Sequence, residues 1–432
     1  MSILDLITLL IFLAAVFTLI NITVLKLPST IGLMAIALMM SVIILIFGYV
    51  FPAVTRGAEH IVAEFDFKEV LLGVMLNFLL FAGALSVNLK TLLEEKVAVF
   101  ILATFGTILS TFIVGTLVYY IFPILGVEID FIFCLLFGAL ISPTDPIAVL
   151  ALIKKFGLSK NLEIKIAGES LFNDGVGVVI FLTILGIAQS TYGGAEAAQG
   201  AHGAAEVTAS SVAILFGQEV VGGVLMGALF GFLGFKLLDF IDNDHVELEV
   251  LVTLTLVMVG GRLSELIHVS GPLAMVVMGL FIGNEGRDEK LANATGEYVF
   301  KFWHLLDEAL NAILFILVGL EMIVIANTFT PTSFLVGGAG VLIVLTARLI
   351  GVSVPIGLMS IYRTFEPKTI AILTWGGLRG GISVALALSL SEFTWMDEDI
   401  KGTILFTTYC CVVFSILVQG LTMGLLLKDN KK

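Results

Sequence analysis

Glu169-Ser170-Leu171-Phe172-Asn173-Asp174 is a polar run set between Ile166 and the apolar residues 176–187. The surrounding segment is hydrophobic enough to span a bilayer. A charge at such depth costs about 3 kcal/mol by insertion scales, so it is rare and usually lines an ion or proton path. A second polar break, Ser142-Pro143-Thr144-Asp145-Pro146, interrupts the neighbouring apolar segment. Together the two breaks read as a cation site inside an all-α polytopic membrane protein.

The rest of the chain agrees with that class. Of its 432 residues 59% are hydrophobic and 13% charged, against about 25% charged in a soluble domain. The formal charge of −13 resides largely in short connections such as Glu59, Glu64, Asp66 and Glu69, so no nucleic-acid partner is expected. No phosphate-cradling glycine loop or dinucleotide fingerprint follows a plausible strand, which argues against ATP-driven transport and against a bound cofactor. Cys134, Cys410 and Cys411 fall in apolar segments and the five histidines are scattered. These read as core residues, not as ligands of a resident metal. The apolar run 3–24 exceeds a signal-peptide core and reads as the first transmembrane helix.

Spans of about 20 residues fall at 3–24, 28–50, 67–88, 96–122, 129–154, 163–189, 210–240, 246–267, 270–284, 298–327, 333–360, 368–391 and 401–427, thirteen in all. Residues 191–209, rich in Gly and Ala and free of Lys and Arg, read as a flexible external loop. Fifteen basic residues, from Lys26 through Lys154, Lys155 and Lys160 to Lys432, occupy one set of alternate connections. Four (Arg56, Lys68, Arg262 and Lys401) occupy the other. By the positive-inside rule the N-terminus is outside and the C-terminus cytoplasmic, in the cell (inner) membrane.

Spans five and twelve are both interrupted, the first at 142–146 and the second by Gly376-Gly377 and Gly380-Gly381 around Arg379. They take fifth place in two six-helix halves separated by span seven. That pairing predicts two inverted repeats whose discontinuous helices place a substrate near the midplane.

Asp145 lies nine residues before Lys154, and Asp174 nine after Lys165. At helical rise both sit roughly 13 Å from the inner boundary of a ~30 Å core, with Arg379 at about 16 Å and Arg348 at about 22 Å. Glu169, Ser170, Asn173 and Asp174 share one helical stripe. Asp174 can offer carboxylate oxygens to an alkali cation, Ser170 a hydroxyl, and unwinding at Thr144 free carbonyls. Burial favours the protonated form of a carboxyl group and an arriving cation the ionised form, so proton and cation compete for one group. A helix clamp between Asp174 and an arginine is the structural alternative. Glu169 is better suited to be such a clamp, paired with Arg348. Asp145, ahead of Pro146 as Pro at N1 would place it, reads as compensation of a helix dipole. Arg379 can offset carbonyl ends in span twelve or hold an acid in place. Gly168, Gly175 and Gly177 read as sites of close helix contact. Glu219, Glu247, Glu249, Asp307, Glu308 and Glu321 read as vestibule or interface acids.

Ser142-Pro143-Thr144-Asp145-Pro146-Ile147-Ala148-Val149, Gly168-Glu169-Ser170-Leu171-Phe172-Asn173-Asp174-Gly175 and Gly376-Gly377-Leu378-Arg379-Gly380 resemble the monovalent cation:proton antiporters. The branch is that of the bacterial NhaP-type and eukaryotic sodium/proton exchangers, and the resemblance covers nearly the whole chain. It implies a homodimer exchanging Na+, or Li+ or K+, for H+. Residues 1–95 and 210–328 would hold the dimerisation helices, and 96–190 and 329–432 the core that moves as an elevator. It implies Asp174 as shared cation and proton carrier, with Thr144, Ser170 and Asn173 assisting. Glu169 and Arg348 would be an ordering ion pair, and Asn173 beside Asp174 implies electroneutral one-for-one exchange. An intramembrane aspartyl protease using Asp145 and Asp174 would need two carboxylates sharing a proton. A cation channel would need a continuous pore.

Overall fold

At bilayer depth no water bonds a free backbone, so long apolar segments close their hydrogen bonds within themselves. In the computed structural model the described residues are 3–53, 56–57, 73–156, 159–193, 209–241, 245–285, 294–326 and 330–428. Their regular elements are helices. The α-helices of seven residues or more are, in order, α1 (Ile3–Ile20), α2 (Ser29–Val50), α3 (Leu76–Ser86), α4 (Thr107–Ile121), α5 (Phe131–Ile141), α6 (Ile147–Phe156), α7 (Lys160–Tyr192) and α8 (Ala209–Phe240). Then follow α9 (Val246–Leu266), α10 (Gly271–Glu285), α11 (Ala294–Ile325), α12 (Pro331–Met359), α13 (Thr369–Trp375), α14 (Gly381–Ser389), α15 (Glu398–Phe414) and α16 (Gly420–Lys428).

Among the described residues, eight helical stretches are long and apolar enough to cross a membrane, including Ser29–Val50, Lys160–Tyr192, Pro331–Met359 and Glu398–Lys428. The chain is therefore a multi-pass membrane protein. Shorter apolar helices lie at Gly73–Ser86, Phe131–Ile141, Gly271–Asn284 and Gly381–Glu392. Two of these are short because spans five and twelve are each broken into half-helices. α9 is long enough but carries Glu247, Glu249, Arg262 and Glu265. Most of the Gly- and Ala-rich connection, 194–208, lies outside the described residues.

Packing sorts the helices into two groups. α4, α5, α7, α12 and α15 pack on one another; α3 and α8 pack on α10, and α2 on α11. Small residues let α10 sit close between its neighbours. A Cβ at Gly279 would meet Phe81 O at 2.7 Å, and one at Gly227 would meet Val277 Cβ at 2.8 Å. Where α3 of the second group leads towards α4 of the first, Asn284 holds the turn. Its Oδ1 accepts from Leu89 N (2.7 Å) and its Nδ2 donates to Val87 O (2.9 Å).

Candidate cation site at the crossing of the broken helices

Pro143 and Pro146, three residues apart, each lack a backbone N–H and crowd the preceding turn, which favours a break, and α5 stops at Ile141 while α6 starts at Ile147. The second break, 376–380, lies beside the first. Asp145 N donates to Leu378 O (2.7 Å), an antiparallel bridge that ties the two extended segments at their crossing. Gly380 permits that approach, since a Cβ there would lie 2.7 Å from Asp145 Cβ. Pro146 precedes the first residue of α6 and its carbonyl accepts from Leu150 N (2.7 Å). Asp145 thus stands one residue further from the helix than Pro at N1 would place it.

Two broken helices leave two bare carbonyl ends at depth, and an arginine meets each. Arg379 Nη1 donates to Ser142 O and to Pro143 O (2.9 Å for the latter). Arg348 Nε and Nη2 donate to Leu373 O (3.2 and 3.0 Å), in the last turn of α13. A cation is favoured at a helix C-terminus. Sequence reading offered Arg379 to the carbonyls of its own span; it reaches those of α5, and Arg348 serves span twelve. Arg379 N is fixed by Ser415 Oγ (2.8 Å), in the π-helical turn Ser415–Gln419.

Arg348 also forms a two-pronged ion pair with Glu169. Nη1 faces Oε1 and Nη2 lies 3.1 Å from Oε2, with Glu169 only 2% exposed. Both carboxylate oxygens are engaged, so Glu169 is matched in charge and geometry.

The next turn of α7 grips the unwound segment. Ser170 Oγ donates to Thr144 O, Asn173 Nδ2 donates to Thr144 Oγ1 (2.8 Å), and Thr144 N donates to Asn173 Oδ1 (3.3 Å). Sequence reading counted Asn173 among the cation ligands. Both ends of its amide are engaged by Thr144, so in this arrangement it ties α7 to the unwound segment. Gly177 allows α7 to lie against the break, because a Cβ there would lie 3.0 Å from Pro143 Cδ.

Asp174 differs from its neighbours. It is half-buried and makes no hydrogen bond or ion pair with any described residue. It lines a cavity of about 800 Å³ together with Thr144, Asp145 and Ser170. The cavity reaches exposed surface at Ser86 and His304, the side on which α3 ends and α2 and α7 begin. On the opposite side Leu314 of α11 packs onto Gly381, where a Cβ would lie 2.5 Å from its Cγ. Phe315, Leu317 and Val318 are buried alongside. Asp174 and Asp145 share no hydrogen bond, unlike a proton-sharing protease pair, and the packed far side interrupts the continuous path a channel needs. Hard oxygen donors at the foot of a cavity open on one side suit an alkali cation or a proton.

Two features were not identified from sequence. Lys165, used there as a boundary marker, is buried and lies 3.5 Å from Glu95, which also meets Arg363 at 3.0 Å. The adjacent acids Glu94-Glu95 in a short connection were the available signal. Asp307, given only a general vestibule role, lines the same cavity as Asp174 and is held by Asn311 Nδ2 (3.0 Å). Its spacing of four from Asn311 was the clue.

Comparison with known proteins agrees with this architecture. Residues 10–429 match the family model described as sodium/hydrogen exchanger, transmembrane. The chain is 45% identical to the Na+/H+ antiporter NhaP of Pseudomonas aeruginosa, over 98% of this chain and 96% of that one. It is 31% identical to the Na+/H+ antiporter NhaH of Halobacillus dabanensis, over 94% and 92%. The fold is similar to that of the sodium proton antiporter MjNhaP1 from Methanocaldococcus jannaschii at pH 8, with TM-score 0.76 and 19% identity over 99% of both chains.

Proposed function

This chain belongs to the sodium/hydrogen exchanger family, and from that premise we propose that it exchanges Na+ for H+ with Asp174 as the shared carrier. The observation that carries this reading is the uncommitted Asp174 carboxylate at the foot of the cavity, beside a matched Glu169–Arg348 pair. A cation arriving there meets the Asp174 carboxylate, Ser170 Oγ and the Thr144 carbonyl, all hard oxygen donors. Li+ and K+ take the same donors, so cavity size sets the preference among them. A proton neutralises the same carboxylate and displaces the cation. One carboxylate holding either one cation or one proton gives electroneutral one-for-one exchange.

The two packing groups support alternating access. Residues 96–190 and 329–432 form the mobile core, and 1–95 and 210–328 the dimerisation domain of a homodimer. The core carries the crossing past α11 in an elevator motion. The basic connections place the cavity mouth on the cytoplasmic side of the inner membrane, with the N-terminus outside, so the conformation is inward-open.

The test is proton movement in proteoliposomes, read by an internal pH dye on addition of Na+, Li+ or K+, with membrane potential clamped and then released. Cation-dependent proton flux that ignores potential supports the reading. Absence of flux with all three cations overturns it.

A further inference from the structure

Beyond Leu314, α11 carries a second acid on the face that meets the crossing. Glu321 is seven residues on from Leu314, two turns along the same face and about 10 Å further from the cavity. It is 4% exposed, and its Oε2 is buried without a hydrogen-bond partner. Tyr409 on α15 is likewise 4% exposed, and its hydroxyl is also buried and unpartnered. Tyr409 stands six residues before Ser415, which holds Arg379 at the crossing, so it lies about 9 Å to the same far side. Tyr409 belongs to the same buried apolar cluster as Leu317, Leu320 and Ile323, the residues that flank Glu321 on α11.

Buried polar groups are nearly always bonded, and leaving one unbonded gives up its hydration for nothing. Here a carboxylate and a hydroxyl do so together, one on each of the two groups of helices, on the sealed side of the site. In the state described both are closed off from solvent. Their hydration is restored if the two groups part on that side when Asp174 faces the other solution. We propose that Glu321 and Tyr409 form an outward-side cation station, two oxygen donors that an alkali cation meets between the external solution and Asp174. Neither touches the inward cavity, so the station acts on one side of the transport cycle only. This rests on the exchange reading of Asp174.

The experiment compares Glu321→Gln and Tyr409→Phe with the unaltered protein in right-side-out and everted vesicles, varying Na+ on one face at a time. The expected result is a rise in apparent KM at least five-fold larger for Na+ on the outward face than on the inward face. Equal shifts on both faces, or none, overturn the proposal. A shift confined to the dependence on external proton concentration overturns the assignment to a cation. A second measurement needs no transport. With Cys134, Cys410 and Cys411 replaced by Ala, the Glu321→Cys variant should react with a membrane-impermeant thiol reagent added outside and not inside. Labelling from the inside, or from neither face, overturns the outward station. Absence of exchange in the unaltered protein would instead overturn the parent reading, and the labelling result would still stand by itself.

Discussion

At the scale of single residues, the site divides its charges into committed and uncommitted ones. Glu169 and Arg348 satisfy each other, so removing either strands the partner at depth. Glu169→Ala should destabilise by about 3–5 kcal/mol. Arg348→Ala should cost more, because it also orphans the Leu373 carbonyl. Thermal melting in detergent checks both, and unaltered melting would remove the pair from the account. Asp174→Asn leaves the described hydrogen bonds intact. It should melt like the unaltered protein while losing cation-dependent proton flux, and retained flux would show that the carrier is another residue.

At the scale of elements, the crossing depends on side chains that allow close approach. Gly380→Ala places a methyl against Asp145 and should push the two extended segments apart, lowering cation affinity more than it lowers the melting temperature. Asn173→Ala removes both bonds to Thr144 and should destabilise by about 1–3 kcal/mol, with a raised cation KM as the functional readout. Much of this level was legible in the sequence. Pro143, Pro146 and the paired glycines mark the breaks by what they cannot or need not do. The stripe Glu169, Ser170, Asn173 and Asp174 follows from helical periodicity alone. The pairing of Arg348 with Glu169 was legible too, but which carbonyls each arginine would reach was not, because a bare carbonyl carries no sequence signal and its neighbour is set by tertiary approach. Arg379 therefore lies across the crossing from the carbonyls it was matched to. The Lys165–Glu95–Arg363 cluster was hidden for the same reason, being assembled from three separate stretches of chain.

For the molecule as a whole, competition for one carboxylate predicts how exchange responds to pH. A lower pH fills Asp174 with protons, so where protons are in excess each pH unit downward should raise the apparent cation KM about tenfold while the maximal rate is held. Steady-state flux at fixed opposite-face conditions checks this, and a fall in maximal rate at constant KM would contradict it. Leu314 over Gly381 bears on fidelity. Without a cation or proton, Asp174 is a bare charge with no partner to accompany it, and dragging it past a packed leucine is costly in a medium that cannot solvate it. Loaded with either ion, the same group is neutral and passes. The tightness of coupling, that one ion never travels without its counterpart, would then reside in an apolar side chain that binds neither. Trimming that side chain in Leu314→Ala should leave binding intact and open a slip, seen as proton leakage into vesicles that contain no exchangeable cation.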